Sequence, residues 1–311
     1  MRARAAVALL ALAVAALAAA GCGVGPGEPK KGDVELRVTR DFGQRQLGPV
    51  ERREGIRESD TVMRFLQAER KVTTRFGGGF VQSIDGLAGD QAAERDWFYY
   101  VNGSEASVGA ADYKLRQGDI VQWDHHDWRA TQHIPVMVGA YPQPFLHGPK
   151  GKRLPTRVEC EQQESRACKQ VLSTLGELGT KATSSVIGAP ASQATLRVIV
   201  ARYKVAAQVR GASALSKGPA TSGVYARFGT DGKRLDLLDA AGRTARVAPP
   251  GTGLVAATQP AAQSITWLIT GVDDAGVERA AGALDPATLR NAFALAATPD
   301  GPVKLPLEAG G

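Results

Sequence analysis

The sequence predicts an α+β first part followed by a second part that is α/β in texture. Three observations carry this. Residues 33 to about 128 hold several short segments of strand period around one stretch of helical spacing, which suits a sheet packed on a helix. Residues 131 to 311 instead repeat strand, polar break and helix. After residue 20, no apolar run reaches membrane length.

The elements follow in order. Val34 to Arg40 alternates apolar and polar, the period of a half-buried strand. Ser59 or Asp60 can cap a helix running to Glu69, with Val62, Phe65 and Leu66 on its core face. Val72 to Phe76 and Phe80 to Ile84 read as strands around a mobile turn, Gly77-Gly78-Gly79. A phosphate cradle there lacks the Lys-Ser/Thr and the helix start that such a loop needs. Trp97 to Val101 is an aromatic strand, and Asn102-Gly103 is a tight-turn signal that also forms a formal glycosylation sequon with Ser104. Gly118-Asp119 turns the chain into an alternating strand, Ile120 to Trp123. Beyond residue 131, Ile134 to Val138 and Thr195 to Val200 read as buried strands. Ser165 to Leu178 reads as a helix with Cys168, Val171, Leu172 and Leu175 on one face. Gly223 to Phe228 and Arg234 to Leu238 pair through a turn at Asp231-Gly232. Ile265 to Gly271 is a strand feeding a helix from Asp273 to Leu284. Gly251 to Ala256 lacks the third glycine of a dinucleotide fingerprint, and Pro249-Pro250 marks it as a loop.

The N-terminus carries an export signal: Met1-Arg2-Ala3-Arg4, an unbroken Ala/Val/Leu run over residues 5 to 20, then Ala19-Ala20-Gly21-Cys22. Small residues directly before a Cys resemble the bacterial lipobox, although Ala19 stands where Leu is usual. The expectation is cleavage before Cys22, lipid on Cys22, and a body anchored to the outer face of the cell membrane. The alternative is an ordinary signal peptide or uncleaved anchor. Residues 1–22 are thus signal and lipobox, 23–32 a Gly/Pro-rich flexible tether, 33–130 one domain and 131–311 another. The remaining cysteines, Cys160 and Cys168, read as one disulfide in an oxidising compartment, with two free thiols as the alternative. Net charge is +7. The basic excess lies in the second half, as scattered single residues without interleaved aromatics. That suits a solvated surface near anionic lipid or wall polymer and argues against a nucleic-acid partner.

Trp97-x-Tyr99-Tyr100-Val101-Asn102-Gly103, followed by Tyr113-x-Leu115-x-x-Gly118-Asp119-x-Val121-x-Trp123, resembles the C-terminal domain of transcobalamin and intrinsic factor. It is closer still to bacterial domains of unknown function grouped with them, and Asp60-Thr61-Val62-x-x-x-Leu66 fits the helix start of that group. The resemblance covers residues 33 to 128. It implies a β-grasp-like fold, and a domain that in the vitamin carriers closes over cobalamin held against a large helical barrel. This chain is too short to contain such a barrel.

The candidate site residues follow. Trp97, Tyr99, Tyr100, Trp123 and Trp128 lie on or near adjacent strands; one set faces a core, and the other can form a flat platform for a planar ligand or sugar face. Packing on both faces is the competing expectation. His125, His126, His133 and His147 cluster in sequence with Asp124 and Asp127, in a polar knot expected after the last strand. Their spacing matches no zinc motif. His126 is the candidate ligand to a tetrapyrrole metal, with Asp124 able to orient it from the same strand face. No nucleophile elbow or His-Glu-x-x-His motif points to catalysis. Three functions compete: capture of a small ligand, a corrinoid or related tetrapyrrole, for uptake; an envelope module docking a separate helical-barrel partner; and a metal-dependent enzyme at the histidines. No cofactor is assigned.

Overall fold

The computed structural model describes residues 30–308, apart from 150, 191, 193, 262 and 263. The signal, Cys22 and most of the expected tether lie outside the described residues.

The first half is built on a six-stranded sheet. Its strands are β1 (Lys30–Arg40), β2 (Arg45–Gln46), β3 (Glu51–Ile56), β7 (Arg95–Val101), β8 (Ser104–Glu105) and β9 (Ile120–Asp127). A small separate sheet holds β4 (Val72–Arg75), β5 (Phe80–Ile84) and β6 (Leu87–Ala88). Strands β1 and β9 pair in parallel at the centre, β3 is antiparallel to β1, and β7 is antiparallel to β9. First and last strands side by side, with one helix across a face, is the β-grasp arrangement the resemblance implied. β1 reaches back to Lys30, into the stretch expected to be tether.

Helix α1 (Val62–Glu69) is capped by Thr61, whose Oγ1 accepts from Arg64 N at 3.2 Å. Asp60, one of the two expected caps, instead accepts from Arg57 N at 2.8 Å. Val62, Phe65 and Leu66 pack on Val34, Leu36 and Val38 of β1, and on Trp97, Val101, Val121 and Trp123. Asn102 and Gly103 both have positive φ (50° and 79°), the requirement of a two-residue hairpin, and they join β7 to β8. Asn102 is buried: its side chain donates to Asp119 Oδ1 at 2.9 Å and accepts from Ile120 N at 2.9 Å.

The second half is a seven-stranded sheet with β10 (Thr156–Cys160), β11 (Ala182–Val186), β12 (Leu196–Arg202), β16 (Gly253–Ala261), β17 (Ser264–Gly271), β18 (Ala294–Thr298) and β19 (Gly301–Leu305). The order is β11-β10-β12-β17-β16-β18-β19, parallel through β17 and antiparallel beyond it. The pair β13 (Ala226–Phe228) and β14 (Leu235–Leu238) forms as expected, and β15 (Thr244–Val247) joins it. Two expectations change. Gly253–Ala261 is a central strand, not a loop; Pro249-Pro250 only mark the turn before it. Ile134 to Val138 is not a strand but an irregular crossing with a single bridge, Val136 to Ser104. Pro135 has no N–H for a ladder, and Ile134 and Met137 enter one core while Val136 and Val138 enter another.

Helices α2 (Arg166–Glu177, capped by Ser165) and α3 (Asp274–Gly282, capped by Asp273) cover one face of this sheet. The Cys160–Cys168 disulfide forms, tying the end of β10 to the first turn of α2. Its eight-residue separation corresponds to about 2.5 kcal/mol of loop-closure stabilisation. The other face is covered by β13, β14, short helical turns between residues 203 and 222, and the first half of the chain.

Beside the disulfide, Glu159 of β10 is fully buried, flanked by β11 and β12. It accepts from Arg197 Nε and Nη2, each at 2.7 Å, from Arg157 Nη2 at 2.9 Å and from Gly188 N at 3.1 Å. Burial pushes its carboxyl up, but the two guanidiniums and the amide outweigh that and hold it below the ordinary value. A carboxyl with a lowered folded value stabilises above its unfolded value, about 4.3, and loses that contribution as pH falls through the folded one. Glu159→Gln is expected to cost about 3 kcal/mol at pH 7. Thermal unfolding scanned from pH 6 to 3 should then show a shallower acid decline in the variant than in the wild type. Parallel declines would mean that Glu159 is not a source of the pH dependence.

Candidate functional site: an arginine-lined cleft between the halves

The site begins with the period of β7 and β9. Trp97, Tyr99 and Val101 point toward α1, and Phe98 and Tyr100 point toward the second half. On β9, Val121 and Trp123 share the α1 face. Gln122, Asp124 and His126 alternate with them and face the second half. Every residue of β9 is buried. Both faces of this sheet are therefore covered.

Trp97 and Trp123 lie in the core beneath α1, 5% and 3% exposed. Trp97 Nε1 donates to Leu87 O at 2.9 Å. Tyr99 stacks on Trp123 at 4.9 Å, and its hydroxyl donates to Val108 O. Tyr100 is buried against Phe293 on the opposite face, and burial raises its phenol well above the ordinary value. Trp128, just past β9, is half-buried, as is Tyr99. The structure brings Tyr99, Trp97 and Trp123 together as packing, with no open platform among them.

The histidines are dispersed. His125 and His126 lie inside β9 rather than after it, and so point to opposite faces. His125 packs on Trp97 and contacts Ala88 O at 3.1 Å; burial lowers its pKa, and the nearby Arg95 charge adds to the effect. His133 is on the surface beside Glu105, and His147 lies against Gly118. Among the described residues, no group of three or more His, Cys, Asp or Glu could hold a metal ion. His126 does bond Asp124, Nδ1 to Oδ1 at 2.8 Å. Its ring is stacked between Phe42 (4.6 Å) and Phe98 (4.4 Å) and is 2% exposed. That is a packed position between the halves, with no face open to a macrocycle.

Asp124 is the centre of this region. Fully buried, it accepts from Thr39 Oγ1 at 2.6 Å, Phe42 N at 3.0 Å and Gly43 N at 2.7 Å, besides His126. The carboxylate holds the β1–β2 turn in an unusual state. Asp41, Phe42 and Gly43 all have left-handed backbones, with φ of 57°, 60° and 75°. Gly43 is required there: a Cβ would sit 1.8 Å from Asn291 O. The turn drives Phe42 into the second half, against Tyr225 at 4.8 Å and Phe293 at 5.5 Å.

Above Phe42 opens a cleft of about 440 Å³ between the halves. The first half supplies Asp41, Gln44, Arg45, Arg95, Asp127 and Arg129 to its wall. The second supplies Asp239 to Ala241, Arg243 and Pro306 to Glu308. Guanidinium–carboxylate pairs line it. Arg95 pairs with Asp41, Arg129 Nε with Asp127 Oδ2 at 3.0 Å, Arg243 Nε with Asp239 Oδ2 at 2.9 Å, and Arg45 reaches Glu308 across the cleft at 3.3 Å. Burial pushes the Asp239 carboxyl up. Arg243 and backbone amides outweigh this and hold it below the ordinary value. The Arg129 and Arg243 side chains remain 54% and 74% exposed, so each keeps donors free for a further acceptor. A smaller hollow, about 240 Å³, lies at the carboxyl ends of β10 and β12, where Arg202 already pairs with Glu161.

Sequence reasoning named the pair Asp124–His126 but none of the cleft's arginines. They come from four separate segments, and none carries a local motif.

The family model described as "Domain of unknown function (DUF4430)" matches residues 59–127. This covers α1, the aromatic strand β7 and β9, within the segment whose motif resembled bacterial domains of unknown function. No curated protein matches the chain. Solved structures similar to part of it include a protein from Ruminococcus gnavus ATCC 29149, described as a candidate metal-binding protein. The identity is 14% over 31% of this chain and 98% of that one, with a TM-score of 0.27. Haptocorrin in complex with Cbi is 16% identical, over 31% of this chain and 26% of that one, with a TM-score of 0.25. The present chain thus spans about a quarter of that haptocorrin chain.

Asp124→Asn tests the centre. One oxygen is lost, and an amide hydrogen now opposes the backbone donors of Phe42 and Gly43. The expected cost is about 3 kcal/mol of unfolding free energy by denaturant titration, since buried bonds to a charged acceptor are lost together. Hydrogen exchange should quicken at Phe42 and Gly43. Unchanged stability would show that the turn holds itself.

Proposed function

We propose that the protein is an exported lipoprotein, anchored through lipid on Cys22, that captures a small ligand in the arginine-lined cleft for uptake. The apolar run over residues 5 to 20 and Ala19-Ala20-Gly21-Cys22 support export and anchoring. The observation that carries the binding reading is the cleft itself. Its volume falls within the range of small-molecule sites, and it lies between two packed halves, where such sites are common. The exposed guanidiniums of Arg129 and Arg243 select for carboxylate or phosphate, which they can grip in bidentate fashion. A tetrapyrrole presenting carboxylate side chains meets that requirement at its acidic edge. The proposed role is binding rather than catalysis.

The test is titration of haem, cobalamin and cobinamide into the protein lacking residues 1 to 22, read by absorbance and calorimetry. Haem, with its carboxylates, is expected to bind most tightly. Arg129→Ala and Arg243→Ala should each weaken it about tenfold, the loss of one charged hydrogen-bonding group, with the folded state intact. Binding that is indifferent to both substitutions would place the ligand elsewhere. Absence of any binding would move the role to docking of a separate partner.

A further inference from the structure

Four arginines line the cleft, and their carboxylate partners are held very unequally. Asp127 accepts from the backbone amide of Arg129 at 2.9 Å and from its Nε at 3.0 Å. Asp239 accepts from the amides of Ala241 and Arg243, each at 3.0 Å, and from Arg243 Nε at 2.9 Å. These two carboxylates are fixed by backbone as well as by guanidinium, so an arriving anion cannot take their places. Asp41 is shared between Arg95 and Arg40. Glu308 differs from all three. Its one hydrogen-bond donor among the described residues is Arg45 Nη2, at 3.3 Å.

The chain before Glu308 is firmly placed. Leu307 is buried, and its amide donates to Leu238 O at 2.8 Å. Pro306 O accepts from Gln44 Nε2 across the junction. The Glu308 side chain therefore projects from a fixed backbone onto the cleft wall, to a guanidinium carried by the other half. The remaining cleft arginines pair within their own half. Arg45 has a second carboxylate, Asp41, at 3.8 Å, but Arg95 already engages it. Both members of the Arg45–Glu308 pair are more than half exposed, at 53% and 59%. An exposed pair of this kind is worth little and is easily opened. Glu308 then turns into water. A ligand carboxylate that offers both oxygens to the guanidinium fork is the better partner.

We infer that Glu308 is a displaceable placeholder on Arg45. The acid group of the ligand takes Arg45 and expels Glu308, while the Asp127 and Asp239 pairs stay in place. Arg45 is thereby a third anion-reading group of the site, beside Arg129 and Arg243. The exchange also sorts ligands. One that presents a carboxylate or phosphate here replaces what Arg45 gives up. An uncharged one enters with Glu308 in place and gains nothing from Arg45. The inference rests on the cleft being the ligand site, and adds to it the pair that decides which ligands the site takes.

The test is a double-mutant cycle. Haem and cobinamide are titrated, at one ionic strength, into the protein lacking residues 1 to 22 in four forms: wild type, Glu308→Gln, Arg45→Ala and the double variant. Glu308→Gln keeps the shape of the side chain and removes its charge. It is expected to bind haem about threefold more tightly, the worth of one exposed ion pair that no longer has to open. Arg45→Ala should weaken haem binding about tenfold in the Glu308→Gln background, but only about threefold in the wild type, where the ligand already spends part of that contact on displacing Glu308. Cobinamide, whose side chains are amides, should show no gain from Glu308→Gln. Circular dichroism should be unchanged throughout, because both side chains are exposed. Equal haem affinity in wild type and Glu308→Gln overturns the inference. So does a gain that persists in the Arg45→Ala background, or one that cobinamide shares, since either would be a general effect of charge. Absence of haem binding in all four forms is a separate result, which overturns the cleft as the haem site and the exchange with it.

Discussion

The Asp124 carboxylate is the constraint on which the arrangement of the two halves depends. Of three consecutive left-handed residues, the two that are not glycine, Asp41 and Phe42, cost on the order of 1–3 kcal/mol each. The turn's own closing bond, Gln44 N to Asp41 O, is long at 3.3 Å. The carboxylate offsets the cost by accepting from two successive amides of the turn and from Thr39. Once the turn is set, Phe42 can only point into the second half, Gly43 can approach Asn291, and Gln44 reaches Pro306 O at 2.5 Å. A second contact follows the same line. Arg37, on the same face of β1, donates to Gly139 O at 2.9 Å and to Asn291 Oδ1 at 3.3 Å. The junction is thus polar at its points of registration and aromatic between them.

Covering the second face of the β-grasp sheet changes what its aromatic residues can do. In an isolated domain of this shape, Phe98 and Tyr100 would be an exposed surface. Here they face Phe42, Phe293 and Tyr225 in a core shared by both halves. The polar residues on that face satisfy one another only in part: Gln122 Nε2 donates to Thr39 Oγ1 at 3.1 Å and His126 bonds Asp124, while Gln122 Oε1 and the Tyr100 and Tyr225 hydroxyls are buried without a protein partner among the described residues. A ligand cannot enter such a layer without parting the halves. The open space lies instead at the rim, where the sheet ends at Asp41 and Asp127 and the second half supplies Asp239 and Arg243.

What the sequence made legible has a common physical basis. Alternation along Val34 to Arg40 and Trp97 to Val101 reports burial of one face or two, and helical spacing at Val62, Phe65 and Leu66 reports one. Asn102-Gly103 and the pair Cys160–Cys168 carry their geometry in their own chemistry. Most of the errors occur where the deciding partner is remote; the cap of α1 is the local exception. Thr61, not its neighbours, caps α1 because Asp60 is drawn to Arg57. The strand Gly253–Ala261 hides behind two prolines and is fixed by β17 and β18 on either side. The reading of His126 found its partner but not its enclosure, because Phe42 arrives from a turn more than eighty residues earlier. The cleft was invisible for the same reason: Arg45, Arg95, Arg129 and Arg243 converge only after both halves are assembled.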